Sequence, residues 1–585
     1  MRSLHQCLLD ADLPHLRAMA RFWDLDLPSG RQRDAAAQLA EAMSAPETIA
    51  SACEALPDDQ RRALETLLAS GGRMPLRVFA REWGEIRTMG PGRMEREQPW
   101  REPISPAEGL WYSGLISRAF EQGAEGAYEA VFIPPELRAH LPTPAAPSPA
   151  IALEPAPEPT ETRSSGDALL DDACTLLAYL QNERLRPDPG GDWPARHEAR
   201  LSRRLRDPDP ARLAFLRHLV QHIGWLKATQ SGRPRPDPEP VTAWLQSPIG
   251  EQRNALAQAW RDDVAWNDLF HTPTLRPEDT GAWRNDPLLA REAILRGLKT
   301  CAPDTWYALG DFVAAIKQTD PDFQRPDGDY TTWYIRDAIS GAYLSGFESW
   351  EAVEGALISY IVAGPLHWLG LTDLDSCLLP PATCSPSATF RLTPAGAAFL
   401  GLTEPTPEPD PAPLTLRSDF TVQSPPARRY ERFQLSRVAD WASSPHVGGT
   451  ERDNDSFIYR LTPTSLERAR RQGIPVARVL EFLAEVTGAP VPRFVEAALT
   501  RCDARGAEAQ IERAMLLRLA SEELMTQVAS SPPTRALIHE QIGPTAALVR
   551  KRDWPRLIVA LGEMGLLPDV GQVVNLPRQK TLKVF

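Results

Sequence analysis

His218 and His222 lie one helical turn apart, the interval that puts two imidazoles on one helix face where a zinc ion could take both. The residue after His218 is Leu219, where a metalloprotease carries its general-base Glu, and no third ligand is evident along the chain. The pair reads as partly buried or surface histidines. Cys377 and Cys384 sit in a Pro-rich stretch with no second cysteine pair, which does not make a zinc site. Gly297-Leu298-Lys299-Thr300 imitates the end of a phosphate-binding loop but lacks the first glycine, has the wrong order and falls at a helix end. Asp171-Asp172-Ala173-Cys174 resembles an acidic motor motif in isolation, without the alternating strands and helices a motor needs. No Gly-x-Ser-x-Gly elbow occurs. The expectation is a protein without catalytic residues, metal or cofactor.

Arginine offers a different chemistry, since its planar fork suits phosphate. Arg200, Arg203, Arg204 and Arg206 form a dense patch with few acids beside it. Arg428, Arg429, Arg432 and Arg437 form a second, extended by Arg468, Arg470 and Arg471 on the next helix. Arg87, Arg93, Arg96 and Arg101 are nearly cancelled by Glu85, Glu95, Glu97 and Glu102. The candidate nucleic-acid contacts are therefore Arg200, Arg203, Arg204, Arg206, Arg428, Arg429, Arg432, Arg437, Arg468 and Arg471. Solvated helix faces are the plain alternative for each patch.

The elements that must position these residues follow from periodicity and punctuation. Two segments rich in Pro, Ala, Glu and Thr, 141–165 and 403–413, read as extended spacers and divide the chain into three blocks. Block 1–140 opens with a small helical hairpin through Leu16, Met19, Leu39 and Met43. Helices at 58–69, 74–83 and from the Ser105-Pro106-Ala107-Glu108 cap follow, then a strand at 128–133. Three helices and a strand are the order of a winged helix. Block 166–402 reads as helices at 168–181, 195–205, 210–226, 240–246 and 250–261. A second set at 288–300, 306–319 and 349–369 leads to the strand and cap Phe390-Arg391-Leu392-Thr393-Pro394, a second winged-helix-like unit. Block 414–585 begins with a strand through Leu416, Phe420 and Val422. It continues with a helix at 427–443, the strand Tyr459-Arg460-Leu461, and helices at 464–472, 475–487 and 492–503. A long amphipathic stretch at 507–529 and a helix within 544–567 precede a basic tail with Arg578, Lys580 and Lys583. Tyr459-Arg460-Leu461-Thr462-Pro463 echoes the cap at 390–394, with Thr as N-cap and Pro at the first helical position. The fold class expected is mainly α with small β wings (α+β), multi-domain, with tandem winged-helix-like units.

Composition sets limits on partners. The net charge of -13 over 585 residues opposes non-specific attraction to polyanions, so nucleic acid must be met by a local basic face. Seven scattered cysteines with no Cys-x-x-Cys suit a reducing compartment. The N-terminus has an acid where a signal peptide needs an apolar run, and the apolar stretch 356–371 is broken by Pro365 and His367. A cytoplasmic protein with no membrane partner is expected.

Ser418-Asp419-Phe420-Thr421-Val422, the run Tyr459-Arg460-Leu461-Thr462-Pro463-Thr464-Ser465-Leu466-Glu467-Arg468-Ala469, Gly473 and the helices through Pro492 together carry a family resemblance. This stretch resembles the accessory domain at the amino terminus of XPB-type helicases, which bacteria also carry in stand-alone helicase-associated proteins. The resemblance implies a DNA-processing context in which 414–585 engages DNA or a protein such as a helicase. The motor of true helicases has no counterpart here. A DNA-binding or helicase-associated accessory factor is the first reading, and a protein-interaction scaffold built from winged helices is the second.

Overall fold

The computed structural model describes residues 2–26, 31–123, 126–141, 153–281, 283–375, 388–405, 410–445, 456–509, 515–550 and 552–569. Cys377, Cys384 and the tail arginine and lysines 578, 580 and 583 lie outside them. The described chain forms two compact units, Met1–Val495 and Glu496–Phe585. Helices dominate, and every sheet is small and antiparallel, which is the expected α+β class.

In the larger unit, four short helices (Leu4–Asp10, Leu13–Phe22, Gln32–Met43 and Pro46–Glu54) replace the expected hairpin. They bury Leu4, Leu8, Leu16, Leu39 and Met43 in one core with Leu64, Leu67, Phe79 and Leu110 from the helices that follow. The next elements are Asp58–Ala69, strand Arg73–Pro75, Leu76–Trp83, the short helix Pro91–Glu97, Pro106–Ser113, and strands Ser117–Gly123 and Gly126–Phe132. In their sheet the last strand lies between the other two. Strand Ser117–Gly123 was not legible in the sequence, because its polar and apolar residues follow directly on a helix. The break is Gly114, at φ 76, a left-handed conformation that ends the helix and favours glycine.

The same order recurs at Pro287–Leu298, strand Trp306–Ala308, Leu309–Thr319, Ala356–Ile361, and strands Thr372–Asp375 and Thr389–Leu392; again the last strand lies between the first and second. Ala356–Ile361 is flanked by π-helical turns at Glu351–Gly355 and Val362–Leu366, the second containing Pro365. This apolar helix is buried all round in the unit's large core, which is why it lacks a polar face. Among the described residues no helix is long and apolar enough to cross a membrane.

Two expectations about organisation change here. Within the segment read as a spacer, Thr162–Arg163 adds a strand to the second sheet beside Thr372–Asp375. The helix expected at 427–443 ends at Val438 and is followed by strand Asp440–Ser443. That strand joins the sheet ordered Thr415–Leu416, Thr421–Ser424, Phe457–Arg460, Asp440–Ser443. Helix Arg429–Val438 packs against Ala168–Asn182, and Phe433 belongs to the core of the middle block. Arg81 likewise reaches Asp322 with two hydrogen bonds of 2.7 and 2.6 Å. Packing of this kind makes one unit of what the proline-rich segments divide in sequence.

In the smaller unit the amphipathic stretch read at 507–529 contains a strand, Met515–Arg518, and the start of a helix, Glu522–Ser530. Strands Ile538–Gly543 and Ala546–Val549 and helix Trp554–Glu563 complete it, with Ala546–Val549 central in the sheet. Val528, Val549, Leu557 and Leu561 form its core.

Candidate nucleic-acid interface

The helix Ala168–Asn182 organises the site. It carries Asp171, facing Arg429–Val438, and Asp172, facing Arg212, both fully buried. Arg429 Nε donates to Asp171 Oδ1 at 2.8 Å and Arg206 Nη1 to Asp171 Oδ2 at 2.7 Å. Arg432 Nη2 donates to the Asp171 carbonyl at 2.8 Å, Nη1 donates to Thr175 Oγ1 at 3.0 Å, and the guanidinium lies 3.6 Å from the Phe457 ring centroid. Arg212 Nη1 meets Asp172 Oδ2 at 2.5 Å. Burial pushes the Asp171 carboxyl up, but the guanidiniums of Arg429, Arg432 and Arg206 outweigh it and hold the group below the usual carboxylate range. Burial prevails at Asp172, whose carboxyl is raised in spite of Arg212.

This corrects the reading of the second arginine patch. Arg429 and Arg432 are each 1% exposed, so they face carboxylates inside the protein and present nothing to a phosphate. A buried cation is held by its counter-charge, and the sequence gives no sign of which arginines find one. Arg206 is committed in the same way. Arg428, at the rim of a groove of about 1150 Å3, donates to the carbonyls of Pro411 and Ala412 and pairs with Glu431 at 3.1 Å. Arg468 pairs with Asp440 at 2.6 Å, and Arg471 with Glu467 at 3.1 Å on an exposed face. Of these, Arg468 lines one small cavity together with Arg204 and Glu183.

The other candidates do converge, at the C-terminal end of Ala168–Asn182. Arg200 and Arg204 share Glu183 at 3.2 and 3.3 Å. Arg204 also lies over the rings of Tyr179 and Trp441, at 5.0 and 5.5 Å. Arg203 is exposed and bonds the Ala199 carbonyl of its own helix. Arg437 donates to Gln434 and Gln472, both at 3.1 Å. Burial and the nearby Arg235 push the Arg437 guanidinium down from its ordinary value.

Four arginines that the sequence did not single out complete the group. Arg235 donates to the Gln181 carbonyl at 2.8 Å and Arg233 to the Glu183 carbonyl at 3.5 Å, taking up carbonyls at the helix end. Burial, and then the like charges of Arg235, Arg184 and Arg186, push the Arg233 guanidinium down from its ordinary value. Arg184 and Arg186 are exposed, with no carboxylate partner among the described residues. Among the described residues, Glu183 is the carboxylate that pairs with arginines of this cluster. The signal that could have found it is the pair of Arg-x-Arg-Pro runs, Arg184-Leu185-Arg186-Pro187 and Arg233-Pro234-Arg235-Pro236. The second lies on strand Pro234–Pro236, which pairs with Leu226–Ala228 and brings Lys227, itself paired with Asp237 at 2.5 Å, opposite Arg235.

The histidines gain a partner too. His218 and His222, on helix Pro210–His222, stack at 5.9 Å between ring centroids, and Asp263 supplies the third polar group that the sequence did not show. His218 Nε2 contacts Asp263 Oδ2, and His222 Nδ1 lies 3.4 Å from Oδ1.

Residues 420–543 match the family described as helicase conserved C-terminal domain. The match lies inside the stretch 414–585 that the sequence resemblance marked as helicase-associated. No curated protein matches the chain.

Proposed function

We propose that this protein is a non-catalytic, helicase-associated accessory factor that binds DNA through its phosphate backbone. The observation that carries the reading is the grouping of Arg184, Arg186, Arg200, Arg204, Arg233, Arg235 and Arg437 near Glu183, at the end of helix Ala168–Asn182. A local field of this kind is what a chain of net charge -13 needs in order to hold a polyanion. The helicase-family match at 420–543 supports the DNA-processing context.

The three recurrences of one strand order read as winged-helix-like units, and their burial favours backbone contact over base reading. A winged helix that reads bases lays its third helix in the major groove. Here Pro106–Ser113 buries Ala107, Glu108, Leu110 and Tyr112, and Ala356–Ile361 lies in the core. In the smaller unit the corresponding helix, Pro532–Arg535, is a single turn. Arginines at the surface contact phosphates and set position without sequence preference.

The test is binding of the full-length protein to duplex, single-stranded and forked DNA over a range of salt. Arg184→Ala/Arg186→Ala should weaken binding and reduce the log–log salt slope by about 0.9 for each phosphate no longer neutralised. Absence of any binding at low salt would overturn the reading. The net charge favours a second reading, a protein-interaction scaffold, and that outcome would support it.

A further inference from the structure

We propose that His218, His222 and Asp263 form a binding site for a borderline transition-metal ion of the zinc class, independent of the nucleic-acid reading. Their three donor atoms lie within 4.8 Å of one another. Donors about 2.1 Å from a tetrahedral ion are separated by about 3.4 Å; His222 Nδ1 and Asp263 Oδ1 already stand at 3.4 Å, and His218 Nε2, in contact with Asp263 Oδ2, parts from it by a modest side-chain rotation to admit an ion. The imidazoles are one turn apart on a single helix and nearly parallel, with 14° between their planes. Two nitrogens and one carboxylate suit zinc, cobalt or nickel and disfavour calcium or magnesium, which take oxygen. The side chains of His218 and His222 are 28% and 39% exposed, so an ion can enter and keep water in its remaining position.

The third ligand is held by a built support. Asp263 is fully buried, and its Oδ1 accepts the Ala265 N–H at 2.7 Å. Its backbone is fixed by Arg291, a buried guanidinium around which the loop is wound. Arg291 Nη1 donates to the carbonyls of Trp260 and Asp263, both at 2.5 Å, Nη2 donates to Trp266, and Nε donates to Asp268 at 2.7 Å. A carboxylate oriented by its surroundings, facing two histidines on a neighbouring helix, is the arrangement in which outer hydrogen bonds hold a metal ligand in place. A bound ion would tie the end of helix Pro210–His222 to the loop after Ile249–Asp262.

The experiment uses untagged, chelator-stripped full-length protein titrated with cobalt and, by calorimetry, with zinc. One equivalent should bind, with cobalt ligand-field bands, a raised thermal midpoint and displacement of cobalt by zinc. His222→Ala, at the more exposed ligand, should keep the wild-type circular dichroism and lose at least about tenfold in affinity. Asp263→Asn should do the same if it folds, and the histidine variant decides the matter if it does not. No saturable binding, equal affinity in His222→Ala, or a sulfur-to-cobalt charge-transfer band placing the ion on cysteine would each overturn the proposal.

Discussion

Asp171 shows how the same residue type serves opposite ends within one patch. Of the arginines at 428–437, two turn inward to this carboxylate and one joins the surface cluster. Removing Asp171 takes the carboxylate from Arg432 and Arg206 and leaves the buried Arg429 with Asp167 alone, 3.2 Å away. Asp171→Ala should therefore cost about 3–5 kcal/mol, read as a lowered denaturation midpoint. Arg184→Ala/Arg186→Ala should leave that midpoint nearly unchanged, because these side chains are exposed and unpaired. If the two variants lowered stability equally, the division between structural and surface arginines would be wrong.

Elements are joined here by strand-to-helix corners, and two of them share one construction. Thr393 Oγ1 accepts the Gly396 N–H, and Thr462 Oγ1 accepts the Ser465 N–H, each at 3.0 Å, with Pro at the next position. The first corner is the tighter. A Cβ on Gly396 would lie 2.2 Å from the Leu371 carbonyl oxygen and 2.7 Å from Leu392 Cδ1. Backbone cannot swing aside as a side chain can, so Gly396→Ala should cost about 1–3 kcal/mol. Gly250→Ala is the control: it lies in a helix with nothing within 4 Å of a Cβ, and its midpoint should hold or rise. Equal losses in the two variants would contradict the corner's role.

At the scale of the larger unit, stability is linked to pH through two buried histidines in different parts of it. His15 donates to the Trp111 carbonyl and His367 to the Thr372 carbonyl. Burial lowers both to about 4, below the ordinary value of 6.5. The unfolded chain therefore binds these protons first. Their contribution is complete above about 6.5 and is lost as pH falls toward about 4, up to roughly 3 kcal/mol for each. Denaturant midpoints measured across this window should fall on acidification, and His367→Asn should flatten the fall. A midpoint that rises on acidification would reverse the sign of the argument.

Local signals fixed a good part of this protein. Apolar periodicity places helices such as Ala168–Asn182 and Val476–Thr487, and Thr-Pro pairs fix where two others begin, because these depend on neighbours within a turn or two. Strands such as Ser117–Gly123 and Met515–Arg518 escaped, since what decides them is pairing with another strand, Gly126–Phe132 and Ala546–Val549, and not an apolar pattern of their own. The site was half legible. Arginine density marked 200–206 and 428–437, but only packing decided that Arg429 and Arg432 meet Asp171 while Arg437 meets Arg235, some 200 positions earlier. Asp263 came to His218 and His222 by the same route, 45 residues away in sequence from the first of them. Charge type is written in the chain; whether a charge meets solvent, a partner or its like is settled when the helices pack, because desolvation and Coulomb energy depend on distance in space.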